Sequence, residues 1–426
     1  MCEKTSFELI NESFVDWFCA NGGIISPKIA FKDYSNENAG RGMMAVEEIG
    51  SDEVLFEIPR SILLSPKTSL LKNEVSTEEY KKLYKINHWF PLILCMMYES
   101  QKENSLWKPY FDILPKQFET PMFWTEEELT ELQGTGVIDK IGKADSEKGF
   151  YEHLLPIIQS KPNVFKPDVH NINLFHQIGS LIMSNAFNEE NGNGGDNKIS
   201  IVMIPMADML NHKTGYNNAR LYQHKGSSLQ MIAIKKIKKG EQIFNTYGDL
   251  CNADLLRKYG FVDDDNIHNI VEINGQLVID ILSNDDDKIK EKKIDWLLKE
   301  DILDDVFILD KSAKIMTMDK SQFIMLKKHK KSLPNNQITT DIQQSLIKLL
   351  QKQMSIYKTS IKEDEEILIE RKSISHKLVC AIVVRLGEKR ILQNALDKLI
   401  NYKVDQNSTV NGDINRSTSN KKRKLK

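Results

Sequence analysis

Residues 205–262 constrain this chain more than any other stretch. They open with Pro205-Met206-Ala207-Asp208-Met209-Leu210-Asn211-His212 and pass through Gly240-Glu241-Gln242-Ile243. They close on Phe244-Asn245-Thr246-Tyr247-Gly248 and, after a short interval, Tyr259-Gly260-Phe261-Val262. An apolar run at 199–204 and alternating runs at 220–222, 229–235 and 242–246 read as short strands. Residues 253–259 read as a short helix or turn. Asn, His and two Tyr are concentrated among small residues and apolar runs, which reads as a site on a compact scaffold and not as a plain core element.

The rest of the chain supplies that scaffold. Thr5 or Ser6 caps a first helix, in which Phe7, Ile10, Phe14, Trp17 and Phe18 share a face, and Gly22-Gly23 ends it. Strand patterns follow at 29–34, 43–49 and 54–59, with Glu37-Asn38-Ala39-Gly40-Arg41-Gly42 between the first two. From about residue 68 to 182 the spacing turns helical. There Thr125 and Glu128 form a capping box, and Trp89, Phe90, Trp107, Tyr110, Phe111, Phe123 and Trp124 supply core. Residues 185–197 read as a polar loop. Beyond Asp263-Asp264-Asp265 the strand signal fades. Short helices are expected at 290–299 and 321–331, a sustained helical pattern at 340–370 and a helical pair at 376–400. A polar, basic tail ends in Lys421-Lys422-Arg423-Lys424 and reads as disordered.

The expected class is therefore α+β. A β-rich domain in two parts (1–67 and 183–265) is interrupted by a helical insertion (68–182). An all-α domain (266–402) and a disordered tail (403–426) follow.

Composition narrows the function classes. A net charge of −2 provides no global field to hold nucleic acid or an anionic membrane, so any such contact is left to the tail. The five cysteines are scattered, odd in number and without zinc-finger or redox spacing, which reads as a reduced intracellular protein. No N-terminal run has a secretory layout, and the longest apolar candidate, 90–98, is too short for a membrane span. The histidines offer no His-x-x-x-His pattern, so no metal is expected. Without a Gly-x-Ser-x-Gly elbow, a P-loop or a dinucleotide glycine fingerprint, hydrolase, NTPase and dehydrogenase readings have no anchor. A monomer is expected.

Singly, the remaining motifs are bland. Gly40-Arg41-Gly42 fits a plain turn, His212 fits a structural histidine, and Tyr247 and Tyr259 fit core tyrosines beside turns. In this order they resemble the SET domain, and more narrowly the lysine methyltransferases similar to the Rubisco large-subunit enzyme and the yeast ribosomal enzymes. The stretches 358–364 and 384–392 are similar to that class's helical substrate-binding domain. No Cys-rich segment follows Phe261, so the zinc-binding element of many histone methyltransferases is absent. Where relatives similar to the plant enzyme carry Arg after the serine, Asn185 stands here.

The resemblance implies methyl transfer from S-adenosylmethionine to a lysine amine of a ribosomal or nuclear protein. That chemistry is an in-line displacement needing a neutral amine, alignment and exclusion of water. At an unperturbed pKa of about 10.4 fewer than roughly one lysine in a thousand is neutral at pH 7, and desolvation raises that fraction. By resemblance Gly40, Arg41, Gly42, Asn211, His212 and Tyr247 bind the cofactor, and Tyr247 is catalytic. Tyr259 and Phe261 line the lysine channel. Ser184, Asp208 and Tyr222 are further substrate-binding candidates, with a helix or turn cap an equal reading of Asp208. Two alternatives stay open: a histidine acceptor on the same fold, and a SET-fold adaptor without catalysis. The basic tail suits nuclear import, with cytoplasm also open.

Overall fold

The computed structural model describes residues 5–189, 200–222, 226, 228–282, 306–312 and 340–403. The helices expected at 290–299 and 321–331, and the tail from residue 404, lie outside the described residues. The chain divides into two compact units. One carries the described residues through 269 together with Tyr357–Glu388, and the other holds those at 270–356 and from 389 on.

The first unit opens with the helix Ser6–Ala20, whose cap is the Thr5–Glu8 box: Glu8 N–H donates to Thr5 Oγ1, and Thr5 N–H to the Glu8 carboxylate. Its buried Phe14 and Phe18 enter the main core. The strands follow in chain order as β1 (Ile24–Ile25), β2 (Ile29–Asp33), β3 (Arg41–Ala45), β4 (Val54–Pro59), β5 (Ala186–Glu189), β6 (Ser200–Met203), β7 (Asn211–His212), β8 (Ala219–Tyr222), β9 (Ser228–Ala233) and β10 (Gln242–Asn245). They form an antiparallel sheet of order β1-β4-β9-β8, a second sheet of order β2-β3-β10-β7, and the β5–β6 pair. In the second sheet β10 runs antiparallel to β3 but parallel to β7, with Phe244 opposite Asn211 and Asn245 opposite His212.

Between β4 and β5 lies the helical insertion, from Thr77–Ile86 through to Ile172–Asn185. The Thr125–Glu128 capping box forms as expected. Buried side chains of Phe90–Ser100, including Leu94, Cys95, Met96 and Met97, join Leu55, Phe56, Ile58, Met231 and Ile243 of the strands in one core.

Three features depart from the sequence expectation. The start of the presumed 185–197 loop is β5, because Ala186 and Phe187 pack on the core while β6 satisfies the backbone. The region after 265 is helical but also carries an antiparallel strand pair, β11 (Ile270–Asn274) and β12 (Val306–Asp310). Their alternation is real, but only the pairing of partners far apart in the chain reveals it. The third concerns the division of the chain. The pattern at 340–370 splits into helices Thr340–Met354 and Ile361–Ile369, while 376–400 is one helix of 25 residues. Helix Ile361–Ile369 and the first half of His376–Ile400 group with the first unit.

The cause of that grouping is a buried ion-pair network. Arg385 and Asp364 are both 0% exposed. The Arg385 guanidinium donates to Asp364 Oδ1 at 2.7 Å and to Glu131 Oε2 at 2.7 Å. Nearer the solvent, Lys377 pairs with Glu128 at 2.9 Å, and the exposed Arg371 with Asp264 at 2.7 Å. A buried charge is tolerated only when paired this fully.

Candidate active site

The strand pairing of β7 with β10 builds the centre. Asn211 and His212 lie alongside Phe244 and Asn245, so the chain leaving β10 brings Tyr247 against His212. Tyr247 N–H donates to His212 Nδ1 at 3.1 Å, and the two rings stack with centroids 5.1 Å apart. His212 Nε2 faces Thr214 Oγ1 at 3.5 Å, and the Thr214 hydroxyl donates to Asp263 Oδ2 at 2.5 Å. With Nδ1 accepting, the ring is neutral and carries its proton on Nε2. Burial lowers its pKa, which keeps that state at neutral pH.

The Tyr247 hydroxyl donates to the Leu210 carbonyl at 3.1 Å. Burial holds its pKa well above the usual tyrosine value, with the neighbouring Tyr259 and Asp208 adding to the effect. It is therefore a phenol at any working pH. Tyr259 stacks on Tyr247 at 4.5 Å between centroids, and Phe261 packs near both Tyr259 (6.1 Å) and His212 (6.4 Å). Burial pushes the Tyr259 pKa up to about 12.

These rings are aimed by the turn between them. Helix Asn252–Tyr259 ends at Gly260, whose φ of +79° is left-handed. A β-carbon there would also come within 3.0 Å of the Glu119 backbone, so this position is closed to other residues twice over. The return is fixed by Asn252, which donates to the Asp263 carbonyl at 2.8 Å and accepts from Asp263 N–H at 3.0 Å. His376 Nε2 lies 3.2 Å from the Gly260 carbonyl.

Asp208 sits in the 3₁₀ turn Ala207–Met209, just before β7. Its Oδ2 accepts from the buried Tyr110 hydroxyl, while Oδ1 is buried with no hydrogen-bond partner among the described residues. Desolvation pushes its pKa up to about 7, opposed by the Tyr110 hydroxyl and more weakly by the Asp208 and Met206 backbone and the Asn185 side chain.

The glycine turn lies on the same sheet. Gly40 has φ +58°, and its carbonyl accepts from Tyr34 N–H at 2.6 Å. A β-carbon at Gly42 would stand 2.8 Å from Asn211 Nδ2, and Asn211 Nδ2 donates to the Ala39 carbonyl at 3.1 Å. Gly40-Arg41-Gly42 and Asn211 are thus brought together. The Arg41 side chain is committed elsewhere: Nε donates to Asn11 Oδ1 at 2.8 Å, Nη1 to the Ile113 carbonyl at 2.7 Å, and the guanidinium covers the Phe7 ring. Any ligand contact at that position falls to its backbone.

Two other expected residues are engaged or exposed elsewhere. Ser184 points its hydroxyl at the Ser180 carbonyl (2.9 Å) and Asn185 Oδ1 (2.5 Å), which uses its one proton within its own turn. Tyr222 is exposed at the end of β8, in the sheet that does not carry Asn211. Conversely, Tyr110, Thr214 and Asp263 were not singled out. Tyr110 looks like any core aromatic and Asp263 like the start of an acidic run, so no local signal marks them. Among the described residues no group of three or more His, Cys, Asp or Glu could hold a metal ion, and no helix is long and apolar enough to cross a membrane.

Residues 40–248 match the SET domain and residues 285–392 the Rubisco LSMT substrate-binding domain. The chain is 30% identical to the N-lysine methyltransferase SETD6 of Bos taurus, over 90% of this chain and 94% of that protein. It is 34% identical to ribosomal lysine N-methyltransferase 4 of Saccharomyces cerevisiae, over 62% of this chain and 60% of that protein. The fold matches the crystal structure of the SET domain of LSMT bound to lysine and AdoHcy with a TM-score of 0.71. That match has 20% identity and covers 93% of this chain and 92% of the other.

Proposed function

Since the chain belongs to the SET-domain N-lysine methyltransferases, and so transfers the methyl group of S-adenosylmethionine to a lysine of a protein substrate, we propose that Tyr247 is its catalytic residue. In this reading Asn211, His212 and the backbone of Gly40-Arg41-Gly42 hold the cofactor, and Tyr259, Phe261 and Asp208 receive the lysine. The observation that carries it is the parallel β7–β10 pairing, which sets the His212 ring and backbone nitrogen contact on Tyr247. The cofactor fits these residues: with no β-carbon at Gly42, the polar ends of Gln242 and Asn211 close in on its backbone.

Bound there, S-adenosylmethionine supplies an electrophilic methyl on a sulfonium. The protein's own part is alignment and desolvation. Tyr247 spends its only proton on Leu210, so its oxygen lone pairs remain to accept from the amine or the polarised methyl hydrogens. The Asp208 Oδ1, buried and unpartnered, accepts from the entering ammonium and draws it past the aromatic rings. Tyr247 and Tyr259 stack at 4.5 Å. An aliphatic chain between two ring faces needs about 7–8 Å, twice a normal carbon contact. Lysine entry therefore shifts Tyr259 by roughly 3 Å, and the stacked rings close the channel to water when no substrate is present.

The same reading assigns the substrate protein to the helical region after residue 266, keeps the enzyme monomeric, and leaves nucleic acid to the tail at most. Lys421-Lys422-Arg423-Lys424 then serves nuclear import. A fluorescent fusion lacking residues 405–426 is expected to lose nuclear accumulation, and unchanged accumulation rejects that role. Asn211→Ala tests the cofactor wall: calorimetry with S-adenosylhomocysteine should give about a tenfold weaker Kd, the worth of one good hydrogen bond. Unchanged affinity would sink the assignment.

A further inference from the structure

We infer that Tyr34 and Gln242 receive the carboxylate at the amino-acid end of the cofactor. The inference rests on the reading that Gly42 and Asn211 wall the cofactor site, and it adds two residues that no motif marks.

Two independent features point to them. The Tyr34 hydroxyl and the Gln242 Nε2 are buried polar atoms without a hydrogen-bond partner among the described residues. Tyr34 is only 5% exposed. Unpartnered buried donors are costly and rare in folded proteins, so a pair of them at one place marks where a ligand group belongs. The second feature is where they meet. A β-carbon at Gly42 would lie 2.7 Å from Gln242 Nε2, 2.8 Å from Asn211 Nδ2 and 3.1 Å from the Tyr34 ring. Side chains from β7, β10 and the residue that follows β2 therefore close in on the one glycine of the turn that lies within β3.

Their chemistry selects the ligand group. A carboxamide NH₂ and a phenol each offer a hydrogen, as does the second hydrogen of Asn211 Nδ2, whose first is given to Ala39. Burial raises the Tyr34 pKa, so the phenol keeps its proton. Lys32 Nζ lies 4.9 Å from the centre of the Tyr34 ring and adds positive charge. The exposed Glu37 is the carboxylate that acts on Tyr34. Donors converging beside a cation suit an anionic acceptor, and the carboxylate is the anionic group of the cofactor. The frame is rigid. Gln242 lies opposite Met44 in the β3–β10 ladder, and its carbonyl accepts from Asn218 Nδ2 at 2.9 Å. The Tyr34 backbone is tied to Gly40.

The test compares two probes by calorimetry on the full chain: S-adenosylhomocysteine, and 5′-methylthioadenosine, which lacks the amino-acid end. Tyr34→Phe and Gln242→Leu should each weaken S-adenosylhomocysteine about fivefold and leave 5′-methylthioadenosine unchanged. Both variants remove an unpartnered polar atom, so their melting temperatures should not fall. Equal weakening of both probes, or of neither, overturns the inference. Asn211→Ala separates the two levels. If it weakens S-adenosylhomocysteine while Tyr34→Phe and Gln242→Leu do not, this inference alone fails. If Asn211→Ala also has no effect, the cofactor wall itself fails.

Discussion

Tyr247→Phe is expected to lower kcat by about a hundredfold to a thousandfold, the usual effect of removing one preorganised polar group at a reacting centre. The affinity for S-adenosylhomocysteine should stay within about threefold, because the stacked ring remains. The oxygen lost is the only polar atom of a ring packed between His212 and Tyr259. Its pKa is pushed far up by burial, so it does not act as a phenolate base. Its contribution is geometric and electrostatic. Donation to Leu210 fixes the direction of its lone pairs, which in the proposed role are left for the amine and methyl. An interaction made only there stabilises the transition state more than bound substrate, so kcat falls and not merely KM rises. Loss of the hydroxyl also leaves the Leu210 carbonyl unpaired, costing about 1–3 kcal/mol of stability. A melting curve and the cofactor titration separate that cost from catalysis. A variant that binds the cofactor normally and turns over near the wild-type rate would remove Tyr247 from the catalytic role.

The sequence reveals local features of this site more readily than long-range ones. The Thr5–Glu8 and Thr125–Glu128 caps are legible because both partners lie within one turn. β4 is legible because its alternation is bounded by turn residues at both ends. The His212–Tyr247 contact spans 35 positions and depends on a parallel register that no periodicity encodes. Tyr110 and Asp208 are 98 positions apart, and an aromatic in a helical segment looks the same whether it fills core or holds a carboxylate. Motif order bridged the first gap through resemblance. It could not bridge the second, nor could it show that the Arg41 guanidinium turns to Asn11 and Ile113. Arg385 makes the same point for the fold. A charge in a helix reads as solvent-facing until Asp364 and Glu131 arrive from elsewhere to bury it.

Asp208→Asn is expected to lower kcat/KM by about tenfold to a hundredfold above pH 7 and, at the same pH, to make the protein more stable. Both follow from one displaced ionisation. Burial raises the Asp208 pKa from 3.8 to about 7. The folded protein therefore binds this proton more tightly than the unfolded chain does. Stability from this group is fully present below about pH 4, declines as pH rises toward 7, and is lost above it. Integrated, the loss is of the order of 4 kcal/mol by pH 8. Asparagine keeps an oxygen for the Tyr110 hydroxyl but has no proton to lose. The gap in melting temperature, variant minus wild type, should then widen in favour of Asn between pH 5 and pH 8. Catalysis is expected to move the opposite way, because in the proposed role the ionised Oδ1 attracts the ammonium, and a hydrogen bond to a charged group is worth about 1.5–3 kcal/mol. Wild-type kcat/KM should rise through an ionisation near the Asp208 value of about 7, and this step should vanish from the Asn profile. Retention of the step in Asp208→Asn, or a melting gap indifferent to pH, would assign the ionisation to another group. In the proposed role the carboxylate is held at a cost to the fold, which the substrate ammonium offsets when it binds beside the Tyr110 hydroxyl.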